Sequence, residues 1–227
     1  MSKNIAIILA AGKGLRMNSE ISKPFLKLLD KPIIIHTIEK FYYHPEISGL
    51  IVVVNKDDKE KMNDLLFEQY KFSKDKIKIV IGGERRQDSV FNALKSCAQD
   101  TDIVLIHDGV RPFVHKDDIL EMIKLVQEKN AVIIGIPAKD TIKVVDEGVV
   151  HSTPERKFLW QIFTPQIFKY DLILNAYKNL KAEHTITDDA SLLEEMQEDV
   201  YVYQGSPDNI KITEPYDLKL AETIIRS

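Results

Sequence analysis

Short runs of apolar residues without polar alternation recur along this chain. They lie at 5–9, 50–54, 77–81, 103–106, 131–136 and 200–203. Runs of this kind are typical of strands that are buried on both faces of a sheet. Between them, apolar residues follow helical spacing over 33–43, 59–70, 88–98, 116–128, 170–180, 190–196 and 215–225. The alternation predicts an α/β fold with a doubly wound, mostly parallel sheet, in which ligands bind at the carboxyl ends of the strands.

One segment breaks this alternation. Residues 141–151 carry two β-branched runs around Asp146-Glu147-Gly148, a pattern typical of a β-hairpin. The hairpin has no obvious place in the sheet. Its spacing fits equally well an arm that projects onto a second subunit and an antiparallel extension of the sheet edge.

Composition narrows the class of protein. The chain has 227 residues, 44% of them hydrophobic, and no linker or repeat, so we expect one domain over 1–227. A formal net charge of -4 argues against nucleic acid and anionic membranes as partners, because both need a broad basic field. No signal segment or membrane span is predicted. The single cysteine, Cys97, is expected to be a small buried hydrophobe, and the protein is expected to be cytoplasmic.

The loop after the first predicted strand, residues 9–17, is rich in glycine. Its backbone N–H groups can converge on an anion to which Lys13 and Arg16 add charge, so phosphate is the expected ligand. The loop lacks the P-loop pattern, and Met17 stands where a dinucleotide-binding loop needs its third glycine. A purely structural tight turn is the alternative. Lys23, beside a rigid proline, either reaches the same phosphates or is solvated.

The loop after the third predicted strand, residues 82–89, opens a helix. Gly82 and Gly83 would let a flat group such as a base approach the backbone. Asp88 or Ser89 is alternatively a helix N-cap.

The loop after the fourth predicted strand, residues 107–112, combines a carboxylate with a guanidinium. Asp108 suits a Mg²⁺ ion that carries a triphosphate, and Arg111 suits bidentate binding of phosphate. The two side chains could equally form a structural ion pair, and His107 is more typical of a structural residue than of a metal ligand.

Two further loops carry candidate residues. Lys211, after the last predicted strand, is a second candidate phosphate ligand. Thr187 or Asp188 would cap the helix that follows, and free N–H groups at that end attract anions. The chain has neither the His-Glu-x-x-His nor the Gly-x-Ser-x-Gly motif, which argues against zinc-dependent and serine hydrolases.

Taken together, these segments resemble the 2-C-methyl-D-erythritol 4-phosphate cytidylyltransferase family of the nucleotidyltransferase superfamily, which acts in isoprenoid biosynthesis. The resemblance runs almost end to end. The segments that carry it lie at 10–17, 23–25, 82–89, 107–112, 140–143, 164–166, 186–191 and 209–213.

The resemblance implies a homodimer with two substrate sites per subunit and a Mg²⁺ cofactor held at Asp108. It implies a CTP site that contains Ala10, Ala11, Gly12, Lys13, Gly14, Gly82, Gly83, Ser89 and Asp108. It implies a polyol phosphate site that contains Asp108, Arg111, Thr164, Thr187 and Lys211, joined by Thr141 and Arg156 from the partner's arm at about 139–159. Arg16, Lys23 and Lys211 are the implied catalytic residues. The projecting arm is therefore favoured over the edge extension.

Two positions depart from the family pattern. Phe163 stands where a glutamine is usual, which puts the support of Thr164 in question. Gly109 replaces the commoner alanine, which should only loosen a backbone contact. The alternatives to this family are ribitol 5-phosphate cytidylyltransferase, which shares several of the loops, and a nucleotide-binding protein without catalytic activity.

Overall fold

The six strands that the sequence predicts are all present and in the predicted order, with strands at Lys27–Leu28, Lys31–Pro32 and Trp160–Lys169 in addition. The computed structural model describes residues 3–12, 22–181 and 183–226. The strands are β1 Asn4–Ala10, β2 Lys27–Leu28, β3 Lys31–Pro32, β4 Gly49–Val54, β5 Ile77–Ile81, β6 Ile103–Asp108, β7 Ala131–Pro137, β8 Val144–Asp146, β9 Val149–Ser152, β10 Trp160–Lys169 and β11 Tyr201–Gln204. The helices are α1 Ile33–Tyr42, α2 Lys59–Asn63, α3 Arg86–Lys95, α4 Lys116–Lys129, α5 Tyr170–Asn179, α6 Ser191–Glu195 and α7 Pro215–Arg226. Helix α2 continues as a π-helical stretch over Asp64–Gln69. None of the helices in these residues is long and apolar enough to cross a membrane.

A seven-stranded sheet forms the centre of the molecule, in the order β11-β7-β10-β6-β1-β4-β5. All neighbouring strands are parallel except at β10, which is antiparallel to both β6 and β7. The sequence analysis did not predict β10. Pro165 interrupts its apolar pattern, and the pairing with β7 is irregular between Ile162 and Gln166. A proline that cannot donate to a ladder normally argues against a central strand.

The core lies on both faces of this sheet. Alternate residues of β1 point to opposite sides, so that Ala6 and Ile8 pack with α1, α2 and α4, whereas Ile5 and Ile7 pack with α3, α5 and α6. The prediction of strands buried on both faces is wrong for both edge strands, β5 and β11. In β5 Ile81 is 39% exposed, and in β11 Val202 is 42% exposed.

The hairpin of β8 and β9 is a separate two-stranded sheet, so the edge-extension alternative is wrong. Its turn places Glu147 and Gly148 at φ of 46° and 81°, a region that glycine adopts without strain. All residues from 139 to 153 are exposed. The hairpin therefore leaves its valine side chains uncovered within this chain.

Candidate functional site

The predicted site loops meet at the carboxyl ends of β1, β5 and β6, because these strands run parallel to one another in the sheet. The N–H of Gly82 donates to the Val54 carbonyl at 2.8 Å, and the N–H of Gly109 donates to the Leu9 carbonyl at 2.9 Å. A Cβ atom on Gly82 would lie 2.8 Å from the Cβ of Ala11. The loops after β1, β5 and β6 are therefore neighbours, as the sequence predicts.

The loop after β5 is held closed by the first turn of α3. The N–H of Gly83 donates to Ser89 Oγ at 3.0 Å, and this hydroxyl donates to the Arg85 carbonyl at 3.2 Å. A Cβ on Gly82 would lie 2.6 Å from the same Oγ, so the loop requires glycine there. The N-cap prediction is wrong. Arg85 is the N-cap, and Asp88 accepts its N–H at 3.1 Å from the third helical position.

Asp108 lies at the centre of a cluster of charged side chains. Its Oδ2 accepts from Lys211 Nζ at 2.9 Å and from Arg111 Nε at 3.2 Å. The side chains of Asp108 and Arg111 are only 11% and 10% exposed, whereas that of Lys211 is 43% exposed. The ion pair that the sequence left open is therefore present. Lys211 also contacts this carboxylate, but its exposed side chain leaves it room to turn towards a ligand.

The charge of Asp108 is set by these neighbours. Burial alone would raise its pKa, but the positive charges of Lys211, Arg86 and Arg111 outweigh burial and hold the pKa well below its usual range. Burial lowers the pKa of Arg111 and outweighs the attraction of the carboxylate. A guanidinium nevertheless remains protonated in proteins. The cluster therefore holds one carboxylate among several cations at neutral pH.

A buried polar network supports this cluster from below. Thr164 Oγ1 accepts the N–H of Asp108 at 3.0 Å and lies 3.1 Å from His107 Nδ1. The other ring nitrogen of His107 lies 2.9 Å from the Arg111 carbonyl oxygen. Asn209 donates to the Thr164 carbonyl at 2.9 Å and accepts Arg111 Nη1 on its own carbonyl at 2.8 Å. His107 is therefore a structural residue, as predicted.

The two departures from the family pattern have clear structural roles. Phe163 lies under the guanidinium of Arg111, with 4.9 Å from its ring centroid to the guanidinium carbon, while Thr164 is supported by other residues. The expectation that Gly109 only loosens a contact is wrong. A Cβ there would lie 2.9 Å from the Leu9 carbonyl oxygen and 2.7 Å from Ile34 Cδ1. The loop after β6 packs too closely on β1 and α1 for a side chain without adjustment.

Lys23 lies beside the loop that carries Lys211. Its Nζ donates to the Thr213 carbonyl at 2.7 Å. Asp217 accepts the N–H groups of Thr213 and Glu214 at 2.8 and 2.9 Å, which orders the start of α7. Burial would raise the pKa of Asp217, but these hydrogen bonds and the charge of Lys23 lower it. The structure therefore brings two of the predicted catalytic lysines to one loop.

The segment before α6 is anchored from β10. Gln166 Nε2 donates to Asp188 Oδ2 at 2.7 Å, and Gln166 Oε1 accepts the N–H of Asp189 at 3.0 Å. Asp188 Oδ1 accepts the N–H of Ser191 at 3.2 Å, but the N-cap position of α6 is Ala190, so the expectation that Thr187 or Asp188 is the N-cap is wrong. Thr187 itself is exposed.

The remaining predicted residues fall into two groups. Lys13, Gly14 and Arg16 lie outside the described residues, while Ala10 ends β1 and Ala11 and Gly12 follow it directly. Thr141 and Arg156 are exposed in the arm region, where Arg156 Nη1 donates to the Lys139 carbonyl at 2.9 Å. No hydrogen bond or ion pair among the described residues joins these two residues to Asp108 of the same chain.

Asp108 fits a metal ion that is held chiefly by a nucleotide. The shortest contacts of Lys211 and Arg111 with this carboxylate are both to Oδ2, so Oδ1 is the oxygen better placed for a metal. These residues contain no group of three or more His, Cys, Asp or Glu side chains that could hold an ion by themselves. Mg²⁺ typically takes one or two carboxylates and completes its coordination with phosphate oxygens and water.

Sequence reasoning missed several residues that build the site. Gln166, Asn209 and Tyr177 were not assigned a role, and neither was the ion pair of Arg86 with Asp189. Gln166, Asn209, Arg86 and Asp189 lie inside the motifs that carry the family resemblance, whereas Tyr177 lies in α5 outside them and has no such signal.

Glycines in the described parts of the loops after β1 and β5, together with a carboxylate surrounded by cations after β6, are typical of nucleotide-binding α/β proteins. The sequence profile of the 2-C-methyl-D-erythritol 4-phosphate cytidylyltransferase family matches residues 4–227. This chain belongs to that family.

Individual relatives agree with this assignment. The chain is 47% identical over 220 residues to 2-C-methyl-D-erythritol 4-phosphate cytidylyltransferase of Clostridioides difficile, which covers 96% of this chain and 92% of the relative. The crystal structure of 4-diphosphocytidyl-2C-methyl-D-erythritol synthase from Anaerococcus prevotii matches with a TM-score of 0.87 and 34% identity, over 100% of this chain and 97% of that one. The Francisella tularensis cytidylyltransferase structure matches with a TM-score of 0.80 and 30% identity, over 98% and 99% of the two chains.

Proposed function

We propose that this chain transfers CMP from CTP to 2-C-methyl-D-erythritol 4-phosphate, with release of pyrophosphate, in isoprenoid precursor biosynthesis. The observation that carries the proposal is the cluster of Asp108, Arg111 and Lys211 beside the glycine loops at the strand ends. Membership of a family named for this activity supports it.

The proposed reaction is an in-line attack by a phosphate oxygen of the sugar phosphate on the α-phosphorus of CTP. A new P–O bond forms at the α-phosphorus, and the bond to the β-phosphate oxygen breaks to release pyrophosphate. A phosphate monoester with a second pKa near 6 is largely dianionic at neutral pH, so no strong general base is needed. Bringing anions together and stabilising the transferring group therefore make up most of the barrier.

The cations of the site provide this stabilisation in our proposal. Arg16, Lys23 and Lys211 stabilise charge on the transferring phosphate and the leaving pyrophosphate, whereas Arg111 positions the acceptor phosphate. Lys211 suits its role because its side chain is 43% exposed and contacts Asp108 through a single 2.9 Å ion pair. It can exchange this carboxylate for a phosphate oxygen without disturbing the buried pair of Asp108 and Arg111.

We assign a Mg²⁺ cofactor to Asp108, whose shortest contacts with Lys211 and Arg111 both use Oδ2. The metal would neutralise charge on the triphosphate and pyrophosphate oxygens. The carboxylate must be ionised for this role. The positive charges around it, which hold its pKa below the usual range, favour that state.

We propose further that two copies of the chain form a homodimer through the arm. Val144, Val145, Val149 and Val150 of the hairpin are 49 to 62% exposed, and Phe158 is 71% exposed. Apolar side chains concentrated on one projecting segment are typical of an interaction surface. In this arrangement Thr141 and Arg156 complete the polyol phosphate site of the partner. This agrees with the finding that, among the described residues, no hydrogen bond or ion pair joins them to Asp108 of their own chain.

The dimer is tested with aspartate substitutions on the arm. Val145 and Val150 are cross-strand partners, so Val145→Asp and Val150→Asp together should give a monomer in sedimentation velocity and abolish turnover. Val202→Asp is the matched control, because Val202 is 42% exposed on the edge strand β11 and away from the arm. A dimer that survives the double substitution would contradict the role of the arm.

We place the protein in the cytoplasm. Cys97 is the only cysteine of the chain, so it has no disulfide partner within it. Burial raises the pKa of its thiol to about 11, which keeps it protonated and unreactive. Both properties suit a reducing compartment. Fractionation of cells that produce the protein, with a periplasmic marker as control, tests the location.

The proposed activity is tested by pyrophosphate release. The enzyme is incubated with CTP, Mg²⁺ and, separately, 2-C-methyl-D-erythritol 4-phosphate, ribitol 5-phosphate and erythritol 4-phosphate. We expect the highest kcat/KM with the methylated substrate. Preference for ribitol 5-phosphate would move the chain to the related activity, and no release with any acceptor would indicate a nucleotide-binding protein without catalysis.

A further inference from the structure

The first turn of α3 is bonded directly to the segment 184–189. Both terminal nitrogens of Arg86 donate to Asp189, at 3.0 and 2.6 Å, in a bidentate ion pair. The next residue, Gln87, donates to the His184 carbonyl at 2.7 Å and accepts the N–H of Ile186 at 3.2 Å. Two successive residues of α3 therefore fix both ends of this segment.

The carboxylate half of the ion pair is buried, whereas the side chain of Arg86 is 33% exposed. The side chain of Asp189 is fully buried, and it also accepts the hydroxyl of Tyr177. Burial would lower the pKa of Arg86, but the Asp189 carboxylate and its hydrogen bonds outweigh burial and raise it. A buried carboxylate is costly unless its partner is in place. The pair therefore strongly favours one position of the segment relative to α3.

The same turn of α3 also carries the loop after β5. Ser89, three residues after Arg86, holds Gly83 through the 3.0 Å hydrogen bond to its N–H. Thr187, on the other side, lies two residues before Asp189 in the chain. The turn therefore supports two segments at once: the loop after β5, which we call the CTP loop, and the segment 184–189, which we call the acceptor loop. The charge of Arg86 also contributes to the low pKa of Asp108, which places it in the electrostatic field of the site.

We infer that Arg86 and Asp189 are positioning residues that hold Thr187 in place for the acceptor phosphate, relative to the CTP loop on the same turn of α3. This inference rests on the proposed function. Neither residue is assigned contact with a substrate. Loss of the pair should loosen the segment 184–189, which keeps its bonds to Gln87 and Gln166, while the loop after β5 keeps its bond to Ser89.

The inference predicts a split between the two Michaelis constants. In Arg86→Gln, KM for the sugar phosphate should rise at least tenfold, while KM for CTP stays within twofold. Arg86→Lys keeps the charge but loses the bidentate geometry, so its KM for the sugar phosphate should rise about threefold. The stability control is Leu66→Ala, which leaves a cavity in the core under the π-helical stretch that follows α2.

Thermal melts show how far each variant is destabilised. If Arg86→Gln does not fold, Arg86→Lys provides the test through its smaller expected difference between KM for the sugar phosphate and KM for CTP. Equal changes in the two constants, or the same kinetics as Leu66→Ala, would overturn the positioning role and leave a purely structural ion pair. Wild-type turnover is measured in parallel, and its absence would contradict the proposed function. Normal wild-type turnover together with unchanged Michaelis constants in the variants would contradict this inference alone.

Discussion

The Lys211→Ala substitution removes a side chain that has one strong contact in the structure. Its Nζ lies 2.9 Å from Asp108 Oδ2. If this lysine stabilises the transferring phosphate, its loss removes a donor that acts mainly in the transition state. Such donors are worth about a hundredfold or more in kcat, which is roughly 2.7 kcal/mol of activation free energy.

The same substitution should have little effect on stability. Lys211 is 43% exposed, so its ion pair is screened by solvent and contributes roughly 0 to 1 kcal/mol to folding. For a chain of this size, 1 kcal/mol corresponds to about 2 to 4 °C in Tm. Asp108 keeps its buried partner Arg111 at 3.2 Å. We therefore expect a large loss of kcat with a change of only a few degrees in Tm.

The assay is steady-state pyrophosphate release at saturating substrates, alongside a thermal melt. Lys169→Ala is the control, because Lys169 is 26% exposed, forms a 3.0 Å ion pair with Asp102 and pairs with Ile103 at the start of β6, the opposite end from the site loops. It should show the same small change in Tm and normal turnover. A Lys211→Ala enzyme with normal kcat, or a Lys169→Ala enzyme with an equal loss, would refute the reasoning.

Three further predictions follow from the site. Lys23→Ala should lower kcat about a hundredfold or more, because Lys23 contacts the loop that carries Lys211 and is proposed to stabilise the same phosphates. Normal turnover in the steady-state assay would exclude that role. Arg156→Ala should raise KM for the sugar phosphate but not for CTP, and mixing it with Arg111→Ala should restore activity by creating one intact site per hybrid dimer; no recovery after subunit exchange would argue against a shared site. Burial lowers the pKa of His107 to about 4, so folding stability should fall by about 3 kcal/mol as the pH drops from about 6.5, the unfolded value, to 4. His36 and His44, whose pKa values burial also lowers, add to this slope, but His107→Gln should flatten it in urea titrations at each pH, and an unchanged slope would contradict a buried neutral imidazole.

The sequence was sufficient to predict the strand order along the chain and the edge of the sheet where the loops meet. Unbroken Ile and Val runs fix buried parallel strands, and parallel strands bring their following loops together. Strand β10 was missed because Pro165 breaks its pattern, although its neighbours on both sides supply the ladder. The N-cap of α3 was missed because arginine is an unusual residue at that position.

The site divides in the same way. Asp108 and Arg111 are neighbours in sequence, and Lys211 follows a predicted strand, so their meeting could be anticipated. Arg86 and Asp189 are 103 residues apart, and Arg86 stands in a charged run that resembles a solvated surface. Only the packing of α3 against the segment before α6 shows that this arginine has a fully buried carboxylate partner.

The most direct test of the central claim is the fate of labelled phosphate. The enzyme is supplied with [α-³²P]CTP, Mg²⁺ and 2-C-methyl-D-erythritol 4-phosphate, and the products are separated by chromatography. Attack at the α-phosphorus predicts that the label moves into the cytidine diphosphate-linked sugar product and that the released pyrophosphate is unlabelled. Label that stays in CTP, or that is released without joining the sugar phosphate, would contradict the account.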